Sequence, residues 1–180
     1  MSGQRIVDLD RLAVDDDGAV RREARRVAET LAVGVARAAI SPRRLEVGLA
    51  CRLLVVAPSA RLAGPGGEVP VIPGTLDRLV SRLGPGGALA FWLGRRAWDA
   101  ESARERGLID EIADDPAERA AVIVALWEES GPAACLLGEL VGRAGRLSPR
   151  AAVALERASF AYAFAGERAR AGARRFIEGR

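Results

Sequence analysis

Ser41-Pro42-Arg43-Arg44-Leu45-Glu46-Val47-Gly48-Leu49-Ala50-Cys51-Arg52-Leu53-Leu54-Val55-Val56-Ala57-Pro58 is the stretch on which the fold turns. Ser41-Pro42 interrupts the helical spacing that precedes it, because proline lacks an N–H and pushes the residue before it out of the helical region. Leu45 to Cys51 is read as a short helix. Leu53 to Ala57 is an unbroken apolar run, β-branched at Val55 and Val56, that stops at Pro58. A run of that length and make-up predicts a buried strand. Helix and buried strand in such close succession point to an α/β fold.

Upstream, Val20, Ala24, Val27, Leu31, Val35 and Ala38 follow helical spacing, with Arg21, Arg22, Arg25 and Arg26 off the stripe. That pattern predicts one amphipathic helix over 19–38. Asp15-Asp16-Asp17-Gly18 is a turn with a capping Asp before it, and Arg5 to Leu12 is a strand candidate. Downstream, Gly64-Pro65-Gly66-Gly67 is a loop. Leu76, Leu79, Val80 and Leu83 mark a helix that stops at Gly84, and a second Gly-Pro-Gly-Gly at 84–87 opens another. Asp99 caps a helix that ends at Gly107, and Leu108 to Ile112 is a short strand. Asp115-Pro116 and Ser148-Pro149 are cap-and-N1-proline signals for helices. Others are expected over 132–143 and 167–178. The expected division is a mixed α/β core at 1–113 and an all-helical region at 114–180.

Nearly half of the 180 residues (49%) are apolar, enough for a sizeable core at this length. The chain has no His and also no Lys and no Asn, so all 27 basic residues are Arg. This excludes a Ser-His-Asp triad, a Schiff-base lysine and a Walker lysine. A zinc site is not expected either, because such sites draw on His or several Cys. Acid–base chemistry must come from Asp, Glu, Cys or the single Tyr162. Cys51 and Cys135 each sit in an apolar run and are expected as two buried thiols. The formal charge of +3 includes no basic face interleaved with aromatics, so no nucleic-acid partner is expected. The arginines near the C-terminus read as the solvated face of a final helix. Leu31 to Ile40, the longest weakly polar stretch near the N-terminus, is too short to span a bilayer, and a cytoplasmic protein without membrane partners is expected.

Glu46 to Ala57 is similar to the segment of crotonase (enoyl-CoA hydratase/isomerase) subunits in which a Gly-Gly-Gly-x-Glu helix start leads through Leu-Ala-x-Ala-Cys-Asp into a buried strand. The resemblance continues in order. Pro58-Ser59-Ala60-Arg61-Leu62-Ala63-Gly64-Pro65-Gly66 resembles Pro-Ser-Ala-Arg-Phe-Gly-x-Pro-Glu. Val71-Ile72-Pro73-Gly74 resembles the Leu-Ile-Pro-Gly turn. Leu93-Gly94-Arg95-Arg96-Ala97-Trp98-Asp99-Ala100-Glu101-Ser102-Ala103 and Gly107-Leu108-Ile109-Asp110-Glu111-Ile112 resemble the next two motifs. The likeness spans about 70 residues with almost no gaps. It implies an α/β, crotonase-like (ClpP/crotonase) ββα spiral core, shortened at its N-terminus, with a C-terminal helical region that builds an oligomer. Upstream of Glu46 the match fails: the helix over 19–38 leaves no room for the strand that the family places there.

The resemblance implies a site that polarises a thioester carbonyl between two backbone N–H groups while two Glu residues move protons. Glu46 stands where the first catalytic Glu belongs. The three glycines align with Pro42, Arg43 and Arg44, so Arg43 is the candidate oxyanion amide. Gly66 aligns with the second Glu and cannot transfer a proton, and Glu68 or Asp77 is the candidate substitute. Arg43, Gly66 and Gly74 are the candidate acyl-thioester-binding positions. No cofactor is expected, and acyl-CoA or an acyl-carrier thioester is the expected ligand. Two functions are open. One is a degenerate accessory subunit of acyl-thioester or secondary metabolism, similar to the shortened crotonase homologues that assist polyketide-type assembly of dihydroxyphenylglycine. The other is an active, divergent acyl-CoA hydratase/isomerase. The implied partners are further copies in a trimer or hexamer, or a pathway enzyme in a hetero-oligomer.

Overall fold

The computed structural model describes residues 5–13, 16–66, 70–94, 96–143 and 147–179, and the chain divides into two compact units, 1–126 and 127–180. In the first unit, β1 (Ile6–Asp8), β2 (Val33–Ala36), β4 (Leu53–Val56) and β7 (Glu111–Ile112) form a parallel sheet in the order β1-β2-β4-β7. A smaller sheet has the order β3-β5-β6, from β3 (Ala39–Ile40), β5 (Arg61–Leu62) and β6 (Trp98–Asp99). The chain leaves a strand of the first sheet, adds a short strand to the second, and returns through a helix. It does this from β2 through β3 and α2 (Pro42–Ala50) to β4, and again from β4 through β5, α3 (Thr75–Leu93), β6 and α4 (Ala100–Glu105) to β7. This repeat winds the spiral core that the sequence leads one to expect.

Helix α1 (Asp17–Ala28) is shorter than the helix expected over 19–38. Its start is set by Asp16, whose carboxylate accepts the Ala19 N–H at 2.8 Å. That bond holds the Asp16 carboxyl below the usual carboxylate range. The helix stops because the next apolar residues have a better use. Val33 to Ala36 are all fully buried, paired on one side with β1 and on the other with β4. Val35 and Ala38 fell on the helical stripe by coincidence of spacing, and two-sided burial of Val33 and Val35 overrides it. The strand that precedes the Glu46 segment is therefore present as β2, which corrects the upstream mismatch.

The quoted stretch folds as read. Residues 45–50 of α2 are all buried, so this helix is wrapped by protein on every side. Gly48 permits this: a Cβ there would meet Leu9 Cδ1 at 2.9 Å. Val33 to Ala36 pair in register with Leu53 to Val56, and Val55 and Val56 pair with Glu111 and Ile112. The two helices expected on either side of Gly84 run together as α3 with a break at Gly84, where φ is 69° and ψ is 168°. That backbone is open to glycine alone at low cost. Helix α4 (Ala100–Glu105) begins at the expected Asp99 cap, and Asp115 Oδ1 caps α5 (Pro116–Ser130) by accepting from the Ala117 and Glu118 N–H groups. Pro116, Ala120 and Ile123 are the buried residues of α5. The division between the units falls inside α5.

The second unit holds α6 (Pro132–Arg143), α7 (Pro149–Phe164) and α8 (Glu167–Ile177). Ser148 caps α7 as its Ser-Pro signal predicts. Cys135 is exposed, whereas Cys51 is buried, which corrects one of the two expected buried thiols. An apolar run buries a thiol only where a second layer covers it. Leu137 and Val141, which follow Cys135 on α6, are likewise exposed. Among the described residues no single helix is long and apolar enough to cross a membrane.

Candidate functional site

The start of α2 is built from residues that bind it to Leu12 and to the first residue of α1. Ser41 is the N-cap and Pro42 the first helical residue. Arg43 and Arg44, at the positions expected to carry glycines, both reach back. The Arg43 guanidinium lies 2.9 Å from the Asp17 carboxylate, and Arg44 Nε donates to the Leu12 carbonyl at 3.2 Å. Two long side chains therefore join the α2 start to Leu12 and to Asp17, where glycines would leave open space.

One turn further along, Glu46 is 4% exposed. Its carboxylate accepts the Val71 N–H at 3.2 Å, the Ile72 N–H at 2.8 Å and the Thr75 hydroxyl at 3.2 Å. Thr75 is itself fully buried, and Ile72 is buried too. The carboxylate thus serves as the acceptor for a turn whose amides have no strand to pair with, which is the general requirement on buried backbone donors. Gly74 ends that turn with φ 84° and forms the N-cap of α3, a left-handed position that suits glycine. The Thr75 N–H donates to the Ile72 carbonyl at 3.2 Å and the Arg78 N–H to the Gly74 carbonyl at 3.0 Å, which closes the turn onto the helix.

The structure brings Glu46 against the turn that contains Gly74, with Arg43 one helical turn before Glu46. Asp77 is exposed in the first turn of α3. Gly66 is exposed with φ 69°, and Glu68 lies outside the described residues. Sequence reasoning missed Thr75 and Asp110. Asp110 Oδ2 accepts the Leu54 N–H at 2.7 Å, and its carboxylate receives a two-nitrogen fork from Arg82 at 3.1 Å. This ties α3 to the entrance of β4. A hydroxyl directly after Pro-Gly was the one available signal for Thr75. Asp110 gave none, because its partners are far off in sequence. Phe91 and Trp98 meet edge to face at 4.8 Å, and Arg106 lies 4.8 Å from the Trp98 ring centre. Phe91 and Trp92 are buried in the core.

No protein-family model matches the chain. A "Probable enoyl-CoA hydratase" known from Mycobacterium bovis and from Mycobacterium tuberculosis is 32% identical over 140 residues, which cover 75% of this chain and 54% of the relative. Enoyl-CoA hydratase subunit I of Geobacillus kaustophilus superposes with a TM-score of 0.77 at 21% identity, over 98% of this chain and 78% of the other. The chain belongs to the crotonase superfamily. DspI of Pseudomonas aeruginosa, a second solved structure, gives a TM-score of 0.70 at 26% identity, over 96% of this chain and 71% of its own. The chain spans about half the length of the curated crotonase relatives it matches. The crotonase core is the α/β spiral described above, and the chain is enoyl-CoA hydratase/isomerase-like in sequence.

Proposed function

We propose that this crotonase-superfamily chain is a cytoplasmic accessory subunit of acyl-thioester or secondary metabolism, with a weakly active or inactive site. The observation that carries the reading is the occupation of Glu46. A general acid or base needs an oxygen within about 2.6–3.2 Å of the proton it moves. Both oxygens of Glu46 are already turned to protein donors, and the residue is almost wholly buried. Its role in this reading is to hold the turn, as a positioning residue. The α2 start supports the same reading. An oxyanion needs donors about 3 Å away and room to approach them. Arg43 and Arg44 stretch from that helix start toward Asp17 and Leu12. Gly66 carries no group that transfers a proton.

In this role the protein acts as a homo-oligomer, a trimer or hexamer, or in a hetero-oligomer with a pathway enzyme. The bound species is an acyl-CoA or acyl-carrier thioester held without turnover. The test is reconstitution. Purified protein is assayed for crotonyl-CoA hydration, and then added to each enzyme encoded beside it. The expected result is hydration near background and a raised rate for one partner. Robust hydration that falls by about 10²–10⁴-fold in Glu46→Gln, with no neighbour's rate altered, overturns the reading in favour of an active hydratase using Glu46 with Glu68 or Asp77.

A further inference from the structure

We propose that Arg43 and Arg44 form a releasable latch that shuts the α2 start against an acyl thioester. The inference deepens the accessory-subunit reading and rests on its claim that a thioester is held at this site without turnover. The latch has two arms. The Arg43 guanidinium pairs with the Asp17 carboxylate at 2.9 Å, and Arg44 Nε donates to the Leu12 carbonyl at 3.2 Å. Both arms leave the first turn of α2, one ending on the first residue of α1 and the other on Leu12.

What lies under the latch is fixed, and what forms it is not. Residues 45–50 of α2 are buried, and the Glu46 carboxylate ties the helix to Val71, Ile72 and Thr75. The Arg44 N–H donates to Ser41 Oγ at 3.5 Å and the Leu45 N–H to the Ser41 carbonyl at 2.9 Å, so the backbone of the α2 start is held apart from its side chains. On the other side, the Asp17 carbonyl accepts from Arg21 Nε at 3.2 Å. The Arg43 and Asp17 side chains themselves are 47% and 46% exposed. An ion pair that open to solvent is weakened by salt, and it confines two flexible side chains at an entropy cost. Arg44 is half-buried, and water can replace it at the Leu12 carbonyl. Two states of one rigid helix start follow. In the closed state the arginines cross the entrance, and in the open state they swing into solvent and leave room for a carbonyl to approach. An open fraction of about one in ten lowers apparent affinity about tenfold. Any ion that competes with Asp17 for Arg43 shifts the balance toward the open state.

The test is calorimetric titration of the full chain with crotonyl-N-acetylcysteamine, a neutral thioester that carries no charge for salt to screen. For the unaltered protein the affinity should rise severalfold between about 50 and about 500 mM sodium chloride. Asp17→Asn should bind about tenfold more tightly at low salt and lose the salt dependence, and Arg43→Ala with Arg44→Ala should do the same. Exchange of the two charges, Arg43→Asp with Asp17→Arg, should restore weak, salt-dependent binding, which bulk at position 43 alone would not do. Affinity that ignores salt in the unaltered protein, or variants that bind no more tightly, overturns the latch. If the variants do not fold, the salt series on the unaltered protein decides. Absence of thioester binding in every preparation also overturns the latch, and the reconstitution described above then decides the accessory role by itself. Crotonyl-CoA hydration that appears together with tighter binding in the opened variants keeps the latch and removes the inactive-site reading, so the two fail separately.

Discussion

Helices α2 and α7 are both apolar in composition, yet one is engulfed and the other bare. Residues 45–50 of α2 are all buried. Helix α7 has no buried residue among those described, and its Phe160, Tyr162 and Phe164 are 63%, 69% and 48% exposed. The difference lies in what each sequence meets. Around α2 a glycine at 48, a carboxylate at 46 and a parallel sheet supply close approach, polar satisfaction and cover. Around α7 no sheet covers the aromatic side chains, and Phe160 and Phe164 stack on each other at 4.4 Å while staying largely exposed. The oligomer proposed above would cover these side chains.

The comparison breaks most visibly at Glu46. Glu46→Ala removes the acceptor from two amides and a buried hydroxyl, and unsatisfied buried donors cost about 1–3 kcal/mol each. The expected loss is roughly 3–5 kcal/mol, read as a shift of the urea midpoint. An unshifted midpoint would mean that the turn is held by something else. Gly48→Ala comes next. The added methyl meets Leu9 Cδ1 at 2.9 Å, and overpacking of this kind costs about 1–3 kcal/mol. On α7, Phe160→Ser should change chain stability by less than about 0.5 kcal/mol. If α7 joins copies, sedimentation should show a smaller particle. A large stability loss without a change in size would place Phe160 in a core instead.

Two smaller effects follow from titration. Burial pushes the Cys51 thiol up to about 12. An unfolded thiol ionises near 8.5, so the folded state binds the proton more tightly. This part of the stability is intact below about pH 8.5 and is lost as pH rises toward 12. Comparing urea midpoints of the protein and Cys51→Ala across that range should show a steeper alkaline decline for the unaltered chain. Asp99 has the opposite sign. Hydrogen bonds from the Ser102 N–H and hydroxyl hold its carboxyl below the usual range, so its contribution is present at neutral pH and fades as acid protonates it. Asp99→Asn should keep the cap and flatten the acid end of the stability curve, and an unchanged acid slope would contradict this.

Sequence reading succeeded where the signal is local. Asp99, Asp115-Pro116 and Ser148-Pro149 each mark a helix start that the structure contains, because capping depends on residues two or three apart. It failed where distant partners decide. Val33 to Ala36 carries a helical stripe, yet β1 and β4 claim it as a strand. Glu46 was legible as a special carboxylate from its place in the crotonase-like segment. Its three donors, 25 to 29 residues away, were not. The Asp110 fork and the exposed Cys135 were hidden for the same reason. Burial and pairing belong to the folded chain, and local composition carries neither.

The central claim is that the Glu46 carboxylate holds a turn and moves no proton. Glu46→Gln keeps the shape but sets an amide N–H₂ against donors, so it separates the two roles in one preparation. The measurement is the urea midpoint and the crotonyl-CoA hydration rate of this variant beside the unaltered protein. The account predicts a midpoint lowered by about 1–3 kcal/mol equivalent with the hydration rate unchanged at background. An unchanged midpoint together with a hydration rate reduced by about 10²-fold or more would contradict it.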